Sequence, residues 1–110
     1  MRLSALICLF FLAFDAFGQS DRGTITGTIS DPAGAVVPNA PVEARNLSTG
    51  LTYQSQSTGT GNYTVTELPV GQYEISATVP GFKKYVRQGL VVQAAETYRV
   101  DITLEVGAST

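Results

Sequence analysis

The chain has 110 residues, 7 basic and 9 acidic, for a formal net charge of −2, with no histidine, no tryptophan and a single cysteine. That length leaves room for one small domain, and without a basic block it argues against a surface that tracks nucleic-acid phosphates. The missing histidine and the lone Cys8 take away the usual general bases, thiol nucleophiles and zinc ligands.

The first element reads as a leader. Arg2 precedes an apolar run from Leu3 to Phe14, and Ala16-Phe17-Gly18 puts small residues where a signal peptidase looks for them. The run is about a dozen residues, against about 20 for a bilayer core, so a cleaved signal over residues 1–18 is expected. An uncleaved anchor is the competing reading. Cys8 sits within the run, without the box of small residues that a lipid-anchored cysteine follows. The mature domain, 19–110, then has no cysteine, no disulfide and no membrane span. Its net charge is still −2, because Arg2 and Asp15 leave together. An exported location follows: the periplasm, the outer-membrane surface or the outside of the cell.

From there the chain punctuates itself about every eight to ten residues, as all-β domains do. Thr24 to Ile29 sets Ile25, Gly27 and Ile29 on one face and threonines on the other. Asp31-Pro32-Ala33-Gly34 is a turn. Pro38 and Pro41 interrupt pairing before the run that begins with Val42 and Ala44. Asn46 to Gly50 is a second turn, Leu51 to Thr58 a polar strand, and Gly59 to Asn62 a third turn launching Tyr63 to Thr66. Tyr73, Ile75, Ala77 and Val79 share one face of the next strand, which ends at Pro80-Gly81-Phe82. A strand over 86–93 follows, and then nine alternating residues, Tyr98 to Val106. No mature window has the spacing of an amphipathic helix. The expected fold is an antiparallel β-sandwich of about seven strands, of transthyretin-like or immunoglobulin-like build, behind a signal peptide.

Leu68-Pro69-Val70-Gly71-Gln72-Tyr73 reads as the corner of such a sandwich. A tyrosine at the start of a strand turns its ring into the core, and its hydroxyl bonds backbone a few residues upstream. Gly71 permits the sharp turn and Pro69 keeps that segment out of a ladder. Leu68, Pro69, Gly71 and Tyr73 are therefore structural candidates, with a ligand contact at Tyr73 as the alternative.

With these residues quoted, a family resemblance is carried by Gly23 to Asp31 with Gly34, Pro38 to Val42, Thr49-Gly50, Gly61-Asn62-Tyr63, Leu68 to Tyr73 and Pro80-Gly81-Phe82. The chain resembles the carboxypeptidase regulatory-like domain over nearly all of its mature length. The resemblance implies a transthyretin-like, or carbohydrate-binding-like, sandwich without catalytic activity. In bacteria it also implies the periplasmic N-terminal extension of TonB-dependent outer-membrane receptors. The chain ends at Thr110 with neither plug nor barrel, so a receptor fragment, a truncated product or a free module is expected, and transport is not assigned.

Chemistry known on similar folds finds no support in these residues. Transthyretin-like hydroxyisourate hydrolases need histidines and a Tyr-Arg-Gly-Ser end, and this chain ends Val106 to Thr110 without them. Isopeptide-forming Cna-B-type modules need an early-strand lysine and a last-strand asparagine. Here the lysines are Lys83 and Lys84, and Tyr98 to Val106 has no asparagine. Gly59-Thr60-Gly61 leads into a strand and cannot cradle phosphate as a helix-capping loop does. Asn46-Leu47-Ser48 and Asn62-Tyr63-Thr64 fit the glycosylation triplet but read more simply as turns. Asp31, Glu67 and Asp101 lack calcium-loop spacing. No catalytic residue, cofactor or metal is expected. Three readings are weighed: a non-catalytic interaction or scaffold module, a carbohydrate-binding module using Tyr53, Gln54, Gln56 and Tyr85, and a secreted enzyme, against which the missing histidine and thiol catalysts count. Protein partners would add a strand at a sheet edge, either Leu51–Thr58 or the basic Lys83–Arg87 segment.

Overall fold

Threonine and isoleucine alternate along the first mature segment, and β-branched side chains suit a pleated, half-buried surface. The segment is β1 (Arg22–Ser30), with Gly23, Ile25, Gly27 and Ile29 buried and the intervening threonines turned outward. In this computed structural model, which describes residues 21–107, seven strands follow. They are β2 (Pro41–Asn46), β3 (Thr52–Gln56), β4 (Asn62–Pro69), β5 (Gly71–Ala77), β6 (Tyr85–Val92), β7 (Thr97–Arg99) and β8 (Ile102–Thr103). Among the described residues no helix is long and apolar enough to cross a membrane. Met1–Gly18, read as the leader, and Cys8 within it lie outside the described residues.

Two four-stranded layers face each other. The first is ordered β4-β1-β7, with β8 also on β1; the second is β3-β2-β5-β6 and antiparallel throughout. The core lies between them: Ile25 and Ile29 from β1, Tyr63, Val65 and Leu68 from β4, and Val100, Ile102 and Leu104 near the C-terminus meet Val42, Ala44, Tyr73, Ile75, Ala77 and Val92. Each aliphatic side chain buried there is worth about 1.5–3 kcal/mol, which accounts for a fold without disulfides.

The chain departs from strict alternation twice, and each time a bulge restores the inward phase. Along β4, Gly23 faces Leu68 while Ile25 faces Val65, so Thr66 and Glu67 together oppose Thr24. Glu67 takes φ of 60°, and this resets the strand so that Leu68 points inward after Tyr63 and Val65. A side chain held in the left-handed region costs about 1–2 kcal/mol. Glu67→Gly is therefore expected to stabilise the domain by about 1 kcal/mol net of the entropy glycine gains when unfolded. A lower melting midpoint in the variant would contradict this. Along β6, Gln88 and Gly89 together oppose Glu74, with Gly89 at φ 82°.

The final run corrects the expectation of one long antiparallel strand. Its inward residues Val100, Ile102 and Leu104 are buried as the alternation requires, but Val106 is exposed. The run divides into β7 and β8, and both pair with β1 in parallel. The division falls at Val100–Asp101, where the Val100 N–H still donates to the Thr26 carbonyl at 2.8 Å but the next two backbone groups take side-chain partners. The Tyr63 hydroxyl donates to the Val100 carbonyl at 2.5 Å, and the Thr28 N–H donates to Asp101 Oδ1 at 3.0 Å. The eight strands are thus the expected seven with the last one split.

The two long sides of the sandwich differ. On one, Ser55 Oγ of β3 donates to the Thr64 carbonyl of β4 at 2.9 Å and ties the layers together. On the other, β6 faces the β7 and β8 side of the first layer across a more open seam. That seam is held at one end by Lys83 N–H donating to the Glu105 carbonyl at 2.7 Å and by the Phe82–Val106 bridge. At its other end the Gln93–Glu96 connection crosses between layers, with Thr24 N–H donating to the Glu96 carbonyl at 2.9 Å.

Candidate functional site

The Tyr73 corner takes up residues that a ligand site would need. The Tyr73 hydroxyl donates to the Pro69 carbonyl at 2.7 Å, and Tyr73 and Leu68 are fully buried. Burial pushes the Tyr73 phenol up from its ordinary pKa, opposed by a hydrogen bond with Asn46. Asn46 is itself buried. Its Oδ1 accepts from the Ser48 and Thr49 N–H groups at 2.9 and 3.1 Å, and a β-carbon on Gly71 would come within 3.1 Å of its amide nitrogen. This asparagine closes a turn. Tyr73→Phe is expected to cost about 1 kcal/mol, the net worth of one hydrogen bond, measured by denaturant titration; an unchanged midpoint would show that the corner bond is dispensable.

Of the four residues read as glycan contacts, Tyr53 turns inward and packs its ring 6.2 Å from that of Tyr73, at an interplanar angle of 58°. A ring in that position reinforces the corner. Gln54 lies on the opposite, outer face of β3. There it lines a hollow of about 170 Å³ with Pro41, Glu43, Ser76 and Thr78. Gln56 pairs with Pro41 on β2 and is exposed. Tyr85 is at the far side of the sheet, lining a second hollow of about 260 Å³ at the seam, with Lys83, Lys84, Val86, Thr103 and Glu105. The four are therefore split among the core, the outer face and the seam, and they do not form one sugar platform.

Charged side chains pair on the outer face of the first layer and at the seam. Arg99 Nη2 lies 3.1 Å from Asp101 Oδ1 and donates to Thr28 Oγ1 at 3.2 Å; Lys83 Nζ lies 3.7 Å from Glu105 Oε2. The Thr28 N–H bond, with Arg99 assisting, holds the Asp101 carboxyl below the usual carboxylate range. Among the described residues no group of three or more histidine, cysteine, aspartate or glutamate side chains converges as metal ligands would.

Comparison with known proteins agrees with this architecture. The model of the carboxypeptidase regulatory-like domain matches residues 24–105. The chain belongs to the carboxypeptidase regulatory-like domain family. Among solved structures, the regulatory-like domain is similar to a putative carbohydrate-binding protein from Bacteroides uniformis (20% identity, TM-score 0.59, covering 79% of this chain and 42% of that one). It is similar to the minor pilin GBS52 of Streptococcus agalactiae (11% identity, TM-score 0.61, 81% and 46%). It is also similar to catechol 1,2-dioxygenase from Acinetobacter radioresistens (12% identity, TM-score 0.63, 81% and 53%). The chain spans about half the length of each, and likenesses this remote show a shared fold only. No match was found among curated protein sequences.

Two features of the regulatory-like domain escaped sequence reasoning. Tyr63 was read as the opening of a strand; its hydroxyl is a second rivet, reaching from β4 to Val100. Only the register reveals it, with Gly27 of β1 facing Tyr63 of β4. The Lys83–Arg87 segment is basic, and Arg87 is exposed; what composition does not give is the register of β6, which pairs Arg87 with Ile75, on the inward-facing row.

Proposed function

We propose that this domain is a non-catalytic interaction and scaffold module of an exported protein, engaging its partner by strand addition at the β6 edge. The observation that carries the reading is the position of β6: an eight-residue strand that pairs with β5 on one side and ends the sheet on the other. Every second residue of an edge strand presents N–H and C=O groups to an incoming strand. The other candidate edge, β3, is shorter, at five residues, and the Ser55 side chain bridges it to the facing layer. On this reading Met1–Gly18 is removed as an export signal, and the domain works in the periplasm or outside the cell. The resemblance noted in the sequence further suggests a position ahead of an outer-membrane receptor.

The test uses the mature chain, residues 19–110, isotopically labelled and titrated with short peptides of alternating threonine and valine. Amide shifts confined to Tyr85–Val92 are expected. Shifts elsewhere, or none with any peptide, would end the strand-addition reading.

A second reading, carbohydrate binding, draws on the hollow lined by Glu43, Gln54, Ser76 and Thr78 and on the likeness to the Bacteroides protein. A carboxylate, an amide and two hydroxyls suit sugar hydroxyl groups, but the aromatic candidates Tyr53 and Tyr85 lie elsewhere. Oligosaccharide titration followed at Gln54 and Ser76 separates the two readings.

A further inference from the structure

We propose that Arg87 makes the β6 edge selective, admitting an extended segment that carries a carboxylate on its inward-facing row and refusing strands that do not. The inference rests on the strand-addition reading above and names the chemistry of the partner.

The register puts Tyr85 opposite Ala77, Arg87 opposite Ile75 and Leu90 opposite Tyr73. Ala77, Ile75 and Tyr73 are buried core residues, so the β6 residues paired with them stand on the same, inward side of the sheet. The inward row of the second sheet otherwise comprises Val42, Ala44 and Asn46 of β2, Tyr53 and Ser55 of β3, and Val92 of β6. Arg87 is the one charged side chain in it. It stays exposed because β6 is the edge and the seam beside it is open.

An added strand would change that. Its own inward side chains would cover the seam and draw water away from the guanidinium. Enclosing an uncompensated charge is costly, and natural sheets use inward-pointing charges to keep edges unpaired. The bulge at Gln88–Gly89 adds to this guard by twisting the strand.

Among the described residues no carboxylate neutralises the charge. Glu74 accepts from Gln88, Glu105 pairs with Lys83, and Asp101 is held by Arg99 and the Thr28 N–H. Arg87 and Lys84 have no carboxylate partner among the described residues. An incoming segment with a glutamate or aspartate aligned to Arg87 would supply it. Lys84, which lines the seam hollow beside Tyr85, would add attraction. The occupant fitted by this edge is an extended acidic segment of another protein, apolar at its flanking inward positions to meet Tyr85 and Leu90.

The experiment compares three blocked nine-residue peptides of alternating threonine and valine, differing only in a central inward residue: glutamate, glutamine or lysine. Affinities come from amide shifts of β6 in the 19–110 chain. Wild type is expected to bind the glutamine peptide roughly three- to fivefold more weakly than the glutamate one, as a partly exposed ion pair warrants, and the lysine peptide more weakly still. The preference should shrink with added salt. Arg87→Glu should reverse the order in favour of lysine. Equal affinity for all three would overturn the selectivity and leave the edge reading standing. Binding of every peptide to Arg87→Val and of none to wild type would make Arg87 a guard only, which also overturns the proposal. Failure of every peptide to shift β6 in wild type, Arg87→Glu and Arg87→Val alike would remove the edge reading itself.

Discussion

Gly27→Ala is expected to destabilise the domain by about 3 kcal/mol, at the upper end of what overpacking costs. A β-carbon at Gly27 would stand 1.9 Å from the Val100 carbonyl oxygen and 2.6 Å from its carbon. Both are backbone atoms and cannot swing aside. To admit the methyl group, the Val100 peptide must move off β1, and with it go the Tyr63 hydrogen bond and the parallel pairing of β7 and β8. Val100, Ile102 and Leu104, all buried, hang on that segment. Gly34→Ala is the control: its β-carbon would meet nothing within 4 Å, but its φ of +87° disfavours a side chain, so about 1 kcal/mol is expected there. Denaturant titrations of the two variants decide the matter. A larger loss at Gly34 than at Gly27 would show that the C-terminal segment is not pinned as described.

The contrast between these glycines also shows what sequence could and could not reveal. Gly34 sits in Asp31-Pro32-Ala33-Gly34, where local chemistry determines the turn: Asp31 Oδ1 accepts from the Ala33 and Ala35 N–H groups, both at 2.9 Å. Such turns, the inward rows of β1 and β5 and the Tyr73 corner are set by neighbours within a few residues, and alternation or spacing exposes them. Gly27 is different. Its reason for being glycine is Val100, which comes to it from the far end of the chain, and no local pattern records that approach.

The same distinction runs through the candidate contacts. Tyr53, Gln54, Gln56 and Tyr85 were grouped by residue type, yet alternation alone sends Tyr53 and Gln54 to opposite faces of one strand. Where β6 bulges at Gln88–Gly89, the face each residue takes depends on pairing with β5. Arg87 is exposed, as a basic segment suggests, yet only its pairing with β5 shows that it stands on the inward-facing row. Pairing direction was hidden as well: the alternation of Tyr98 to Val106 suits a parallel partner as readily as an antiparallel one, and the parallel pairing with β1 depends on the short Gln93–Glu96 connection, which carries the chain from β6 across to the other layer.

Tyr63→Phe is expected to cost about 2–3 kcal/mol, more than Tyr73→Phe, because a buried carbonyl left without a donor forfeits its desolvation as well as the bond. Tyr63 is buried, and its hydroxyl meets Val100 inside the core, where water does not replace it. The pH dependence separates this bond from a simple loss of packing. Burial first, and then the negative charges of ionised Tyr85 and Asp101, push the Tyr63 phenol far above its ordinary value, with Arg87 and Arg99 opposing. Its folded pKa therefore lies above the unfolded one, near 10. The stabilisation is fully present below that pH and is lost as pH rises, because the unfolded chain releases the proton while the folded one keeps it. The phenylalanine variant has no such proton at this position. The gap in stability between wild type and variant should be constant from neutrality to about pH 9 and narrow steadily above about pH 10. Denaturant midpoints measured across that range provide the check. A gap that stays level or widens in alkali would mean that the Tyr63 hydroxyl is not held protonated against Val100.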